Sequence, residues 1–456
     1  MTRIERILLI AFGIYVALLP WQTRVLVSQP QLGSQFIEYG SLSIYATDAL
    51  LALIVFGAAF VGYRSRGSAK VWSAALVLVG ISFASAIFAD RSDVALQSFR
   101  LILIGVAVLW VSQQPWVSCS FILTCFVAGA VLQAVFGIGQ FLAQTSPAFS
   151  WLGLASHDPS VSGTSVVEAG GMRWLRAYGS LPHPNILGGY LAAALLMAFG
   201  LYLRQYDIVR EGFAKWTREN IHRHLEGKRW YWQQSWRIAG LLVVCAVLTT
   251  GLLLTFSRSA WLGFGIAWVI LLIALLVLRW PWGTWLWVKW TFFVGVIATF
   301  VILAAPSAFL ARSTATGRLE DLSLTTRSQQ YRDAYVLLKA NPIRGVGLGN
   351  MVVATYDQVS RLRASADDYQ PVHNIYLLSM VELGVVGGIT FFAFVLFAYW
   401  ETLTQLLKRT TWVTLTLLAG LTCLLVIGLL DHYLWDLGVG VGVLWLVIGL
   451  GSRTEK

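Results

Sequence analysis

The chain contains few charged residues: Asp, Glu, Lys and Arg make up 12% of its 456 residues, whereas hydrophobic residues make up 57%. Its mean hydropathy is +0.69. So little charge excludes a soluble domain with a single core, because such a domain needs a polar surface. Long apolar runs occur throughout the sequence. We therefore predict an all-α polytopic membrane protein.

Cysteine is also scarce. The chain has four, at Cys119, Cys125, Cys245 and Cys423, and each falls inside an apolar run. Cysteines in such runs behave as small hydrophobic residues. We therefore predict neither a disulfide nor a cysteine metal cluster.

A signal-peptide cleavage motif is lacking as well. The first apolar run starts at Ile7 behind Arg3 and Arg6, which is the order found in a secretory signal. No small-x-small motif follows before Pro20-Trp21. We therefore predict that this run is retained as the first membrane span.

A membrane-spanning helix needs roughly 20 mainly apolar residues. On that basis the sequence has about twelve candidate spans, near 7–27, 42–62, 71–89, 95–111, 116–142, 186–203, 238–256, 260–278, 288–305, 375–399, 412–430 and 437–452. They divide the chain into residues 1–143 with spans 1 to 5, residues 144–305 with spans 6 to 9, one long outer loop at 306–374, and residues 375–456 with spans 10 to 12.

Basic residues predict the orientation, because Lys and Arg are retained on the cytoplasmic side of short loops. With the N-terminus inside, nineteen Lys and Arg residues fall in inside segments and six in the short outer segments. The long loop is exempt from this rule. Both termini are therefore predicted to be cytoplasmic.

Much of the net charge of +11 follows from this bias, so it does not indicate a nucleic-acid partner. The segment 204–237 mixes basic residues with Trp and Tyr. Such a mixture is typical of an amphipathic helix on anionic membrane lipid. We predict that structure and no nucleic-acid binding.

The outer segment 144–185 ends with Pro182-His183-Pro184-Asn185, after Arg176. The two prolines exclude a regular helix at His183, so the chain turns just before the sixth span begins. Arg176 and His183 then lie near a helix N-terminus, a place that favours anions. A simple turn with a snorkelling arginine is the alternative.

Arg258 is the only charge in the tight outer turn between spans 7 and 8. An arginine at that depth needs a partner or a water-filled cavity. Ser257 can cap the following helix, whose N-terminal amides would face the same anion as the guanidinium. The turn therefore suits a phosphate contact, with interfacial snorkelling as the alternative.

The long outer loop has too many residues for a mere connector. Apolar and aromatic residues recur at helical spacing over 326–339, and Asn341-Pro342 ends the predicted helix. The Gly345-x-Gly347-x-Gly349 run that follows has no parallel-sheet pattern before it, so we reject a dinucleotide site. We expect it to let backbone pass close to the membrane or to a ligand.

His373 and Asn374 end this loop where the tenth span begins. A histidine at a helix start is either a capping or packing residue or a catalytic base. Glu382 lies about 14 Å further along if the segment is helical, so it is not a direct partner of His373. A carboxylate inside the bilayer has a functional role or packs against donors of a neighbouring span.

Several motifs together resemble the O-antigen ligase and polymerase superfamily. They occur in order from about residue 170 to the end, whereas the first five spans match only in hydropathy. The motifs are Arg176…His183-Pro-Asn185, Ser257-Arg258-Ser-Ala-Trp-Leu-Gly263, Asn341-Pro-x-x-Gly345-x-Gly347-x-Gly349-Asn350, His373-Asn-x-Tyr-Leu-x-x-x-x-Glu382-x-Gly384-x-x-Gly387 and Asp431-His432-Tyr433.

The resemblance implies a GT-C-like membrane glycosyltransferase of the bacterial inner membrane, without metal or other cofactor. Such enzymes pass a glycan from an undecaprenyl-diphosphate carrier to an acceptor hydroxyl on the outer face. The resemblance implies that His373 is the general base and that Arg258, Arg327 and Arg176 hold the diphosphate. The residues predicted to support them are His183, Asn185, Asn374 and Glu382. We expect a ligase acting on lipid A core, with a polymerase or a protein glycosyltransferase as alternatives.

Two other readings compete with this one. A metal-dependent glycosyltransferase would need outer carboxylates, for which the candidates are Glu38 and the pair in Asp90-Arg-Ser-Asp93. A transporter or flippase for lipid-linked sugars would need polar residues at mid-bilayer, for which Glu382 is the main candidate. The charged and aromatic residues gather in the outer segments, which favours chemistry over passage.

Overall fold

A computed structural model describes residues 1–456 except 63–65, 220–223, 315–317, 364, 366–367 and 455–456. Its helices are α1 (Arg3–Ala17), α2 (Ala46–Val61), α3 (Ala69–Phe88), α4 (Ser92–Ser112), α5 (Cys119–Ala143), α6 (Pro184–Glu219), α7 (His224–Leu254), α8 (Arg258–Val277), α9 (Pro281–Ala304), α10 (Pro306–Thr314), α11 (Arg318–Ala340), α12 (Met351–Ala354), α13 (Ile375–Lys408), α14 (Trp412–Gly428), α15 (Tyr433–Asp436) and α16 (Gly438–Gly451). The strands are β1 (Arg24–Ser28), β2 (Gln31–Leu32), β3 (Gln35–Phe36), β4 (Leu42–Tyr45), β5 (Val166–Ala169) and β6 (Met172–Leu175).

The prediction of an all-α polytopic membrane protein is confirmed. A helix lies at each of the predicted span positions. Among the described residues, eight helices are long and apolar enough to cross a membrane, and three shorter apolar helices span Ala46–Val61, Trp412–Gly428 and Gly438–Gly451. The number of twelve spans stays a prediction.

The first predicted span is too long at its C-terminal end. Helix α1 ends at Ala17 rather than near residue 27, because Pro20 and the polar residues after it do not continue a helix. The next segment forms two small antiparallel pairs, β1 with β4 and β2 with β3. This part of the first loop is therefore β-structure, which the apolar pattern did not predict.

Helix α6 is the centre of the bundle. Its segment Pro184–Gly212 is buried throughout the stretch that is apolar enough to span a membrane. Small residues permit close packing there, as they do in other membrane helix interfaces. A Cβ added at Gly188 would lie 2.8 Å from the Cβ of Ser257 and 3.0 Å from that of Ala260, so α6 and α8 meet at their first turns.

The basic segment 204–237 does not form a separate surface helix. Within the described residues, α6 continues to Glu219 and α7 begins at His224, so residues 204–219 and 224–237 lengthen two spans. Gly212 faces the indole of Trp230, which brings the two helices together. The prediction of an amphipathic surface helix is corrected because no helix breaker separates these residues from the flanking apolar runs.

The long loop and the chain termini lie at opposite ends of the bundle. We call the end at which α6, α8 and α13 begin the loop end. At the other end, the backbone of Ser68 bonds that of Ser452, and the Arg453 side chain donates to the carbonyl of Val117. The functional side chains described below all lie at the loop end.

Helix α13 is broken at Gly384, which has φ 73° and ψ 174°. The glycine-rich loop 342–349 fills the break: the N–H groups of Val346 and Gly347 donate to the carbonyls of Val381 and Glu382 at 2.9 and 3.0 Å. The break therefore leaves those backbone groups bonded. The glycine run thus passes close to the backbone of α13, whereas the sequence predicted an approach to the membrane or to a ligand.

Replacing Gly384 with alanine is expected to lower the free energy of unfolding by at least about 1–3 kcal/mol. A Cβ there would lie 2.0 Å from the carbonyl oxygen of Ile343, and the positive φ disfavours a side chain. The control is Gly295→Ala, because a Cβ on that residue of α9 meets nothing within 4 Å. Thermal unfolding in detergent that ranked the two variants equally would contradict this account of the break.

Candidate active site

Polar side chains from four parts of the chain meet at the loop end. They come from the turn before α6, from α11, from the start of α13 and from the segment between α14 and α16. The residues are Arg176, His183, Asn185, Arg327, Gln330, His373, Asp431, His432 and Asp436. Each part is described in turn.

The turn before α6 is held in place by glutamines of α5. The side-chain oxygen of Gln140 accepts from the N–H of Gly179 at 2.8 Å, and that of Gln133 accepts from Ser180 N–H at 2.7 Å. Both glutamines are buried inside an otherwise apolar helix. Their bonds fix the segment that leads into His183.

Both ring nitrogens of His183 are engaged within the protein. Its Nδ1 accepts from the backbone N–H of Asn185 at 3.1 Å, and its Nε2 lies 3.0 Å from Ser165 Oγ. Burial, then the nearby charge of Arg176, lowers the pKa of His183 to about 3. This geometry gives His183 a structural task at the start of α6.

Arg176 is 5% exposed and connects three segments. Its Nε donates to the carbonyl of Thr255 and its Nη2 to Asn185 Oδ1, both at 2.7 Å. Asn185 Nδ2 in turn donates to Asp431 Oδ2 at 3.1 Å. A chain of bonds therefore runs from the α7–α8 turn through the start of α6 to Asp431.

Arg258 is the first residue of α8, and the predicted cap is confirmed. The N–H of Ala260 donates to Ser257 Oγ at 3.4 Å. Arg312 of α10 donates through Nε to the carbonyl of Phe256 at 2.8 Å, so the long loop fastens this turn. Since the first turn of α8 packs on Gly188 of α6, Arg258 lies at the loop end near the turn that carries His183.

His373 is held between α11 and α13. Its Nδ1 lies 2.7 Å from Gln330 Oε1, and a carbonyl oxygen can only accept, so Nδ1 carries the proton. Asn374 caps α13, accepting from the N–H groups of Tyr376 and Leu377 at 3.0 Å each. Since Nδ1 donates to Gln330, Nε2 is the nitrogen that carries the lone pair. The ring also bonds the backbone of Pro371.

The predicted helix of the long loop is confirmed as α11, and it supplies Gln330. Arg327 lies one turn before Gln330 on the same helix. Its positive charge is close enough to act on His373. The structure thus brings two residues of α11, Arg327 and Gln330, close to His373 at the end of the long loop.

Asp431 and His432, which were quoted in the sequence motifs, are part of the cluster, although they were not predicted to be site residues. Their segment places the ring of His432 edge to face with that of His373, with centroids 4.8 Å apart. Asp436 was missed entirely. It accepts from His432 Nδ1 at 2.8 and 3.0 Å through its two carboxylate oxygens. A His and an Asp four residues apart just after an apolar run were the available signal.

The surroundings shift the pKa values of the two facing histidines in opposite directions. Burial, then the charges of His432 and Arg327, lowers the pKa of His373 to about 3. Burial also opposes the charge on His432, but the carboxylates of Asp436 and Asp431 outweigh it and raise its pKa. At neutral pH His373 is therefore neutral, and His432 binds a proton more readily than His373 does.

Glu382 is not part of this cluster. Its carboxylate accepts from the indole N–H of Trp435 at 2.8 Å, and it is 3% exposed. The contact ties α13, just before its break, to α15. Because Trp435 and Asp436 both belong to α15, this bond also helps to hold the segment that carries His432.

The cluster also has the spacing of a possible metal site. A potential ligand atom from each of His373, Asp431 and His432 lies within 4.8 Å of the other two, close enough to share a divalent ion. Positive charges oppose a cation here, since Arg327 acts on His373 and Arg176 acts on His183. The first-loop carboxylate weighed for a metal, Glu38, pairs instead with Arg24 at 2.5 Å.

The second-loop carboxylate Asp93 likewise forms an ion pair with an arginine, Arg91. Arg91 donates to its two oxygens through Nε at 3.0 Å and Nη2 at 2.9 Å. The pair is at least a third exposed on both sides. It is a solvated loop contact, as is usual for such pairs.

Residues 241–392, about one third of the chain, match the O-antigen ligase family. This range contains the Ser257–Gly263, Asn341–Asn350 and His373–Gly387 motifs, so the predicted resemblance to the O-antigen ligase superfamily is confirmed. The match supports a glycosyltransferase-like enzyme of the ligase or polymerase type in a multi-pass membrane protein. No curated protein sequence matches the chain.

Proposed function

We propose that this chain, whose residues 241–392 match the O-antigen ligase family, transfers a glycan from undecaprenyl diphosphate to an acceptor hydroxyl. The reaction takes place at the loop end, on the periplasmic face of the bacterial inner membrane, with both termini cytoplasmic. The architecture is GT-C-like. The observation that carries the proposal is the oriented, neutral His373 beside Arg327 and Asp431.

His373 acts as the general base. As the acceptor oxygen forms its bond to the anomeric carbon, the hydroxyl proton passes to His373 Nε2, while Gln330 keeps Nδ1–H in place. The bond between that carbon and the diphosphate oxygen breaks, and its electron pair leaves with the lipid diphosphate. A positioned base contributes about 10²–10⁴-fold to such a step.

Arg258 and Arg327 bind the diphosphate. Glycosyl transfer places additional negative charge on the leaving group, and a guanidinium pairs with phosphate oxygens in two-point geometry. Arg176 was predicted for the same role, which stays untested. Its burial and its bonds to Thr255 and Asn185 favour a positioning role through Asp431.

The transfer proceeds by a single displacement with inversion at the anomeric carbon. A double displacement needs a carboxylate nucleophile in the site. The cluster has two carboxylates. The two oxygens of Asp431 already accept from Asn185 Nδ2 and the N–H of His432, and both oxygens of Asp436 accept from His432 Nδ1. NMR of the product linkage is expected to show the anomeric configuration opposite to that of the donor.

The reaction is metal independent. Transfer by the purified protein is expected to change by less than about twofold in excess EDTA, since arginines supply the positive charge that a metal would supply. A commercial metal-dependent glycosyltransferase serves as the control for chelation. Activity that vanished with EDTA and returned with Mg²⁺ or Mn²⁺ would contradict the assignment of the loop-end cluster.

The acceptor we favour is lipid A core, which makes the protein an O-antigen ligase. A chain polymerase or a protein O-glycosyltransferase would use the same chemistry with another hydroxyl. Comparing surface glycans in a deletion strain tests this choice. Loss of a ligase leaves long lipid-linked chains unattached, whereas loss of a polymerase leaves single repeats attached to the core.

A further inference from the structure

The segment between α14 and α16 carries a histidine that the general-base mechanism does not use. The ring of His432 packs against His373 on one side, with centroids 4.8 Å apart, and against Tyr39 of the first loop on the other, at 5.8 Å. Its side chain is 12% exposed. The ring of His432 therefore borders the same space as the ring of His373.

Asp436 fixes the orientation of this ring. Both carboxylate oxygens accept from His432 Nδ1, at 2.8 and 3.0 Å, across the single turn of α15. Gln330 does the same for His373. Each ring thus bonds its partner through Nδ1, which leaves Nε2 for proton transfer. One ligand atom of each histidine and one carboxylate oxygen of Asp431 lie within 4.8 Å of one another.

We propose that His432, held by Asp436, is a second catalytic residue that donates its Nε2 proton to the departing diphosphate. This inference rests on the proposed glycosyl transfer and assigns a general acid to the same site. Two groups that face one reacting centre can divide the acid and base tasks when their surroundings differ in charge. His373 has an amide as its Nδ1 partner, whereas His432 has a carboxylate.

The proton count of the step balances. The acceptor hydroxyl loses its proton to His373 Nε2 as its oxygen bonds the anomeric carbon. The bond between that carbon and the diphosphate oxygen breaks, and that oxygen receives both the electron pair and the proton from His432. Exchange with solvent then returns His373 to the neutral form and His432 to the protonated form, so the net change is one proton lost by the acceptor and one gained by the lipid diphosphate.

Several charged or titratable groups face His432 and influence its proton. They are Asp436, Asp431, Glu382, His373, His183 and Tyr39. The carboxylates among them raise the pKa of His432 against the effect of burial. The acid form therefore persists to higher pH than in an ordinary histidine and is lost as pH rises through this raised pKa.

The test uses the purified full-length protein, an undecaprenyl-diphosphate-linked glycan as donor and lipid A core as acceptor. His432→Gln is expected to lower transfer by about 10²–10⁴-fold, the contribution of a positioned acid. Asp436→Asn retains an oxygen for Nδ1 but removes the charge. In this variant the alkaline limb of the pH profile, where activity falls at high pH, is expected to shift to lower pH, while the acidic limb stays in place.

Asp357→Asn is the control, because Asp357 forms an exposed pair with Arg361. Its pH profile should match that of the unaltered protein. The Asp436→Asn profile remains informative if His432→Gln does not fold, since it reports on the same proton. A purely structural role for His432 would lower activity at every pH without moving the high-pH fall.

Three results would overturn the inference. One is transfer by a folded His432→Gln variant within twofold of the unaltered rate. Another is an Asp436→Asn variant whose high-pH fall stays in place. The third is a bound divalent ion, measured by elemental analysis, that His432→Gln loses together with activity. Failure of the proposed function is distinct, because the unaltered protein would then show no transfer at all.

Discussion

Replacing His373 with alanine is expected to lower glycan transfer by about 10²–10⁴-fold without unfolding the protein. The variant removes the imidazole ring that Gln330 holds beside Asp431 and His432. His373→Gln should be equally inactive, because an amide fills the site but does not take a proton. Initial rates of transfer by purified variants measure the effect.

His157 provides the matched control for this prediction. Its ring stacks on Tyr178 with centroids 3.7 Å apart, in the outer segment before α6. His157→Ala should leave transfer within a few fold of the unaltered rate. A folded His373→Gln variant with more than a tenth of the unaltered rate would show that another group takes the acceptor proton.

The loss of Arg327 is expected to lower transfer by about 10²–10³-fold, which is the usual cost of removing one group that stabilises transition-state charge. Arg327 faces His373 from α11, and its guanidinium carries a permanent charge. Arg327→Lys should recover part of the rate, because a lysine keeps the charge but not the planar two-point contact.

Arg332 lies on the same helix and tests whether position matters. It is exposed and donates to Ser328 one turn back. Arg332→Ala should change the rate by less than about twofold. Equal losses in Arg327→Ala and Arg332→Ala would mean that α11 acts through its overall charge or its folding, and the diphosphate contact would have to be abandoned.

Hydropathy predicted the helices of the bundle because each span must be apolar over its own length. Local signals also predicted α11 and its end at Asn341-Pro342, as well as the cap at Ser257. Such features depend on residues within a few positions of one another. The β-pairs of the first loop were missed, since their strands are too short to give a clear pattern.

The candidate site could be predicted only in part. His373 and Arg327 belong to motifs around the long loop, whereas Asp431 and His432 join them only because α13 and α14 pack side by side. The pairing of His432 with Asp436 is local, but its significance depends on the contact with His373. Contacts of this kind come from packing, which a single sequence does not specify.

The break in α13 illustrates the same limit. Its glycines and Glu382 were the main sequence features that favoured a transporter, because transporters use broken helices around a central site. In the structure the glycine-rich loop fills the break, and Trp435 bonds the Glu382 carboxylate. These groups hold the scaffold of the loop-end cluster together and do not line a passage.

The most direct test of the central claim is transfer by the purified protein in detergent. The donor is an undecaprenyl-diphosphate-linked glycan, the acceptor is lipid A core, and both products are followed by mass spectrometry. The account predicts glycosylated acceptor and lipid diphosphate in equal amounts, formed by the unaltered protein and not by His373→Ala. Without a second compartment a transporter has no activity. Failure of correctly folded protein to form either product would contradict the account.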